Sequence, residues 1–160
     1  MISSEKAERA FLQHYDPGAF ERPSVSVDVV VFTVMEGDLW VALYQRDEHP
    51  HRGRYALPGG FVGFEEGLEA AARRLLREKV GLRNIFFEQL RAFGAPKRDP
   101  RMRIITVAFY ALTSPATFEE VLCKKNATVA RVQTPTGASA YANNGKRLRL
   151  AFDHGEILQC

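Results

Sequence analysis

Cysteine is scarce in this chain: Cys123 and Cys160 are the only two in 160 residues, and they make neither a CxxC pair nor a metal-ligand cluster. That spacing excludes a zinc-ribbon or dithiol redox motif. Nothing at the N-terminus has the pattern of a secretory signal, so a reduced, cytoplasmic compartment is the expectation. Long apolar runs are lacking too. The longest, "VDVVVFTVM", has nine residues, where a membrane-spanning helix needs roughly 20. No membrane span is expected. Charge of one sign is nearly absent as an excess: 22 Lys+Arg against 19 Asp+Glu leave +3, which suits an anionic small ligand as well as nucleic acid and does not choose between them. There is no internal repeat and no low-complexity tract. What is present is 46% hydrophobic residues, enough for one domain with a sizeable core.

Residues 1–22 read as an N-terminal arm: "SEKAERAFLQHY" is helix-compatible, with Phe11 and Tyr15 at i, i+4, and it breaks at "DPG". Residues 23–160 then form the domain. "SVSVDVVVFTV" alternates and turns continuously apolar, as a strand buried on both faces does, and "GDLWVALYQR" follows the turn signal "MEGD" to complete a hairpin. "DEHPHRGRYALPGG", punctuated by Pro50, Gly53 and Pro58, reads as a surface loop. A helix is expected from Glu66 to Val80. Ala72, Leu76 and Val80 share one face, Ala71, Leu75, Glu78 and Lys79 the next, and Gly81 ends it. "NIFFEQLRAFG" and "MRIITVAFYAL" are further strands, joined by "APKRDPR", a loop with two prolines and three cations. "TFEEVL" reads as a short helix, "ATVARVQT" as a strand and "PTGASAYANNGK" as a loop without an assigned role. Asp153 and Glu156 have the spacing of a capping box and predict a helix start. With Cys160 seven residues on, that helix either docks on the domain or belongs to something longer.

Residues 59–82, "GGFVGFEEGLEAAARRLLREKVGL", resemble the Nudix box, G-x5-E-x7-R-E-U-x-E-E-x-G-U with U apolar. Gly60, Glu66, Arg74, Leu76, Glu78, Gly81 and Leu82 fall on matching positions. Leu75 stands where the box has Glu, and Lys79 where it has the second Glu of its pair. "YQRDEHPHRGRYALPGGF", "EQLRAFGAPKRDPRMRIITVAFYAL" and "LAFDH" are similar to the Nudix branch that acts on or senses ADP-ribose. That branch includes Nudix-related transcriptional regulators of NAD metabolism, which join a Nudix-like effector domain to a C-terminal winged helix. The resemblance covers about residues 23–112 and 150–156 and leaves 113–149 unassigned. It implies an α/β fold, a Nudix α/β/α sandwich with a mixed β-sheet between the box helix and a C-terminal helix. It also implies a homodimer, and DNA contact only through a C-terminal domain absent from this chain.

In the family, box carboxylates hold divalent cations that neutralise a diphosphate and activate the attacking water. Positions 75, 78 and 79 would bring three negative charges to one helix face, but here Leu, Glu and Lys sum to zero. Mg2+ gives up its waters reluctantly, and an ammonium in place of a carboxylate repels it by a few kcal/mol for unit charges about 4 Å apart near a surface. Hydrolysis is therefore expected to be lost or weak, with Glu78 and Glu66 as residual catalytic candidates and Glu78 as the one box metal ligand. Lys79 either lends a diphosphate a fixed positive charge or is an ordinary solvated lysine. Glu66 and Arg74 are expected mainly as a clasp between loop and helix.

Gly59 and Gly60 let the backbone approach a phosphate. Arg46, Arg54, Arg98 and Arg101 are candidates for diphosphate and ribose oxygens, Arg46 and Arg98 foremost. Tyr55, Phe61 and Phe109 either line an adenine pocket or are plain core. Asp99 accepts from a ribose hydroxyl or simply forms a turn, and His49, His51 and His154 have no metal spacing. The function implied is binding of ADP-ribose or a related nucleoside diphosphate derivative as an effector sensor, with no cofactor needed for binding. The alternative is an active Mg-dependent pyrophosphohydrolase of ADP-ribose or a similar substrate, with Glu78 and Glu66 holding a single metal; Mg2+-dependent product would turn the catalytic assignment to acids outside the box, Glu119 and Glu120 first. Direct nucleic-acid binding through "CKKNA" and "GKRLRL" is a third reading.

Overall fold

β1 (Ser24–Met35) is the hub of the molecule. In this computed structural model, which describes residues 4–133, 139–141 and 145–160, β1 pairs in parallel with β6 (Ile104–Leu112) from Ser24 to Phe32. On its other side it changes partner. Ser26–Asp28 pair with β4 (Gly59–Phe61), and Phe32–Met35 pair with β2 (Asp38–Gln45) across a two-residue turn. Glu36 and Gly37 in that turn both have positive φ, as a type I′ hairpin requires. β5 (Glu88–Phe93) lies outside β6, while β7 (Ala127–Gln133) and β8 (Ser139–Tyr141) extend the sheet beyond β2, and β3 (Tyr55–Ala56) pairs with the end of β2.

Strand alternation sends Val27, Val29 and Val31 to one face, where α2 (Leu68–Val80) and α3 (Pro115–Leu122) cover them with Leu75, Leu76, Val80, Phe118 and Val121. Val30, Val41, Leu43 and Ala108 face the other way, under Ile157 and Leu158 of α4 (His154–Leu158). This is the α/β/α sandwich with a mixed sheet that the resemblance implied. The first helix, α1 (Ser4–His14), is solvent-exposed, and Tyr15 just beyond it meets the ring of Phe11 at a tilt and stacks on that of Phe20. No helix among the described residues is long and apolar enough to cross a membrane.

Several boundaries differ from the sequence reading. The loop "DEHPHRGRYALPGG" contains β3 and the start of β4, segments of two and three residues that are too short to show a period. "PTGASAYANNGK" includes β8, and its residues 135–138 and 142–144 lie outside the described residues. α2 starts at Leu68 rather than Glu66, with Gly67 as its extended N-cap, and the Glu66 carboxylate holds the preceding loop to the helix. It accepts from Arg74 Nε at 2.8 Å and Nη2 at 2.7 Å and from the Gly63 amide at 3.0 Å, while Arg74 also donates to the Phe61 carbonyl. This clasp ties the loop to the second turn of α2. At the other end Gly81, with φ of 82°, takes the left-handed cap and donates to the Arg77 carbonyl.

The hydrogen bonds from Arg74, then the amide of Gly63, hold the Glu66 carboxyl down at about 2, from an ordinary 4.5. The folded state thus binds this proton less readily than the unfolded one, so the clasp contributes fully above about pH 4.5 and is lost as pH falls toward 2. A carbon-detected NMR titration should place the Glu66 midpoint near 2 and, in Arg74→Ala, return it toward 4.5. An unchanged midpoint in that variant would show that the clasp is not what holds the carboxylate.

Candidate functional site

Where β1 changes partner, an open cleft of about 390 Å³ forms on the α4 side of the sheet. β1 supplies Ser26 and Asp28, the end of β2 supplies Tyr44 and Arg46, and β4 supplies Gly59, Gly60 and Phe61. The β5–β6 connection adds Arg98, Asp99 and Arg101, and the approach to α4 adds Phe152 and His154. Parity explains the floor: Ser26 and Asp28 share the face of Val30, the side covered by α4.

The floor is a buried polar knot. Asp28 accepts from the Thr106 hydroxyl at 2.7 Å, lies 3.7 Å from the Arg98 guanidinium and 3.5 Å from His154 Nε2. Arg98, only 5% exposed, grips Asp153 with both Nε (2.7 Å) and Nη2 (2.6 Å). The predicted capping box therefore does not form: Asp153 sits at the N-cap of α4, but its side chain is held by Arg98, and only its carbonyl receives the amides of Glu156 and Ile157. His154 accepts the Leu57 amide on Nδ1 at 2.9 Å, which puts its proton on Nε2 toward Asp28. Burial, against the pull of Asp28 and Asp153, keeps that imidazole below its ordinary pKa and so neutral. Gly59 is required above this knot. A Cβ there would lie 2.0 Å from Asp28 Oδ1 and 2.7 Å from the Val27 carbonyl.

The walls are cationic and aromatic. Arg101 is bidentate on Asp99 (3.0 and 2.8 Å), and its guanidinium carbon lies 5.1 Å from the Phe61 ring and 5.6 Å from that of Phe152. Burial would raise the Asp99 pKa, but the hydrogen bonds from Arg101 outweigh it and the net shift is downward. Arg46 donates from Nε to the Pro50 carbonyl at 2.9 Å and stacks 4.9 Å from Phe152. Its other contacts, to the Tyr44 hydroxyl and the Glu48 carbonyl, are long at 3.5 Å and leave those nitrogens able to turn to a ligand.

The structure brings together Arg46, Gly59, Gly60, Phe61, Arg98 and Arg101 of the predicted ligand set. It does not bring the rest. Arg54 is exposed on the loop before β3, and Tyr55 packs on the second core cluster. Phe109 is buried on the α2 face with its ring against Phe87 at 5.3 Å, so it is core. Lys79 does not line the cleft; its ammonium rests 5.0 Å from the ring of Tyr44, which does. Asp28, Tyr44, Phe152 and His154 were not foreseen as cleft residues. A lone carboxylate inside an apolar strand was the legible sign of Asp28, whereas Phe152 needed the chain path to be known.

The box face does not fit a divalent cation. Leu75 is buried in the apolar cluster, with its Cδ2 2.9 Å from where a Cβ on Gly60 would stand. Glu66 is saturated by Arg74 and Gly63, and exposed Glu78 reaches Arg74 at 3.4 Å. Lys79 adds a positive charge to the same turn. Among the described residues, no three of His, Cys, Asp and Glu are grouped as a metal would need.

A family model described as the NUDIX domain matches residues 22–147. The chain is 34% identical over 155 residues to the ADPR responsive transcriptional repressor NtrR of Acinetobacter baylyi, covering 96% of this chain and 58% of that protein. To the ADP-ribose pyrophosphatase of Methanocaldococcus jannaschii it is 37% identical over 87 residues, 54% of this chain and 49% of that protein. It thus spans between about half and three fifths of the length of these curated relatives. The NUDIX domain of Shewanella oneidensis NrtR, solved in complex with ADP ribose, superposes with a TM-score of 0.68 at 32% identity over 94% of each chain.

Removing the centre of the polar knot should be costly. Arg98→Ala leaves Asp153 and Asp28 buried without their cation and is expected to destabilise the fold by about 3–5 kcal/mol, read from urea unfolding. Arg98→Lys should recover only a part, since an ammonium cannot make the paired contact to Asp153. Full recovery by lysine would show that charge alone, not the fork geometry, matters.

Proposed function

The chain belongs to the NUDIX domain family, and on that premise we propose that it binds ADP-ribose or a related nucleoside diphosphate derivative in the β1 cleft as an effector, with hydrolysis lost or weak. One observation carries the reading. The cleft brings the guanidiniums of Arg46 and Arg101 and the rings of Phe61 and Phe152 together above Arg98, while the box helix turns a leucine and a lysine where metal-binding carboxylates would stand. Arg46 and Arg101 meet the diphosphate, and Phe61 and Phe152, which already flank the Arg101 guanidinium, take the flat base. Asp28 and Asp99 accept from ribose hydroxyls. Arg98 acts from beneath, by keeping Asp153 and Asp28 in place.

The similarity to the Acinetobacter repressor and to the Shewanella domain complexed with ADP ribose supports this choice of ligand. In the same reading the protein works in the cytoplasm as a homodimer in the control of NAD metabolism, and sequence-specific DNA contact comes from a C-terminal domain outside residues 1–160. Mg-dependent hydrolysis is the second reading, favoured by the similarity to the Methanocaldococcus pyrophosphatase. Glu78 and Glu66 would hold its single metal, yet Arg74 already engages both, and the acids outside the box, Glu119 and Glu120, lie on α3, across the sheet from the cleft.

Calorimetric titration with ADP-ribose in EDTA is expected to show saturable binding. Arg101→Ala should weaken it about 10- to 100-fold, the ~1.5–3 kcal/mol of hydrogen bonds to a charged group. No heat in EDTA, with binding restored by Mg2+, would contradict metal-free recognition.

A further inference from the structure

A second cleft, of about 560 Å³, opens at the far end of α2. Arg73 and Arg77 of the helix and Arg83 and Asn84 of the following loop line it, with Ile85 and Phe87 at its base, and no carboxylate is among the lining residues. Arg73 is held in position: its guanidinium carbon lies 4.7 Å from the Phe87 ring, and Nη1 donates to the Ile85 carbonyl at 3.4 Å. Among the described residues, the side chains of Arg77 and Arg83 have no hydrogen-bond or ion-pair partner.

This concentration is local, because the chain as a whole is only +3. The negative end of a helix accounts for a cation in its last turn, which covers Arg77. It does not account for Arg83 beyond the cap or for Arg73 about two turns back. Like charges lining one cleft repel one another, and a seated anion relieves that repulsion. Guanidinium groups match phosphate oxygens in geometry as well as charge. We propose that this cleft is a second phosphate-binding site, which takes the phosphates of a free nucleotide-like anion or of a nucleic-acid backbone through Arg73, Arg77 and Arg83. It shares no residue with the β1 cleft and does not depend on the ligand assigned there.

The test is residue-resolved 15N NMR of the full chain, titrated separately with inorganic pyrophosphate and with a DNA duplex of about one helical turn. Amides of residues 81–87 are expected to shift saturably with at least one probe. Affinity there should fall about tenfold or more in Arg77→Ala/Arg83→Ala, while the probe-free resonances of residues 59–61 stay put and show the fold intact. Response to pyrophosphate identifies a small phosphate ligand as the source; response to the duplex alone identifies the backbone. Absence of a saturable shift at 81–87 with both probes, or equal affinity in the double variant, would overturn the site. Shifts confined to residues 59–61 bear on the β1 cleft alone and count against this one.

Discussion

The grip of Arg98 on Asp153, over Asp28, is the constraint from which the cleft follows. Two carboxylates and one guanidinium are taken almost fully out of water here, a state that is tolerable only when the carboxylates share the Arg98 cation and gain hydrogen bonds such as that from the Thr106 hydroxyl to Asp28. Pairing them fixes three parts of the chain at one point: the middle of β1, the β5–β6 connection and the root of α4. Phe152 and His154 flank Asp153 in sequence and both face the cleft. A ligand there would press on the three residues that launch α4, so the knot joins recognition to the C-terminal side of the fold. Gly59 completes it, since any side chain at that position would enter the space of Asp28.

On the other face of the sheet the same backbone is committed to packing. Leu75 fills the space beside Gly60 and belongs to the cluster of Val27, Leu76 and Phe109. An apolar contact of that kind stabilises the sandwich, at about 25 cal/mol per Å² removed from water, and offers a cation nothing. Lys79, one turn on, is half-buried with its ammonium 5.0 Å from the Tyr44 ring. Tyr44 in turn lines the cleft, so the ammonium of Lys79 reaches that site only through the ring it rests on.

Periodic features were legible. The hairpin of β1 and β2, the box helix with its glycine stop, and the pairing of Glu66 with Arg74 follow from spacing and from the box pattern. The segments that carry the resemblance to the ADP-ribose branch also hold Arg46, Phe61 and Arg101, which line the cleft. What sequence could not supply is partnership across long separations. Asp153 has the spacing of a helix cap, and only the fold shows that Arg98, 55 residues earlier, takes both of its oxygens. Tyr55 and Phe109 do not line the cleft for a related reason: an aromatic in a strand is indistinguishable from core until its face of the sheet is known.

The central claim is that this NUDIX domain recognises a nucleoside diphosphate without cutting it. Phosphorus NMR of ADP-ribose, mixed with stoichiometric protein and excess Mg2+, tests it most directly. The account predicts diphosphate resonances that are displaced by binding and undiminished over hours. Growth of monophosphate resonances faster than in a protein-free control would contradict it and make the β1 cleft an active site.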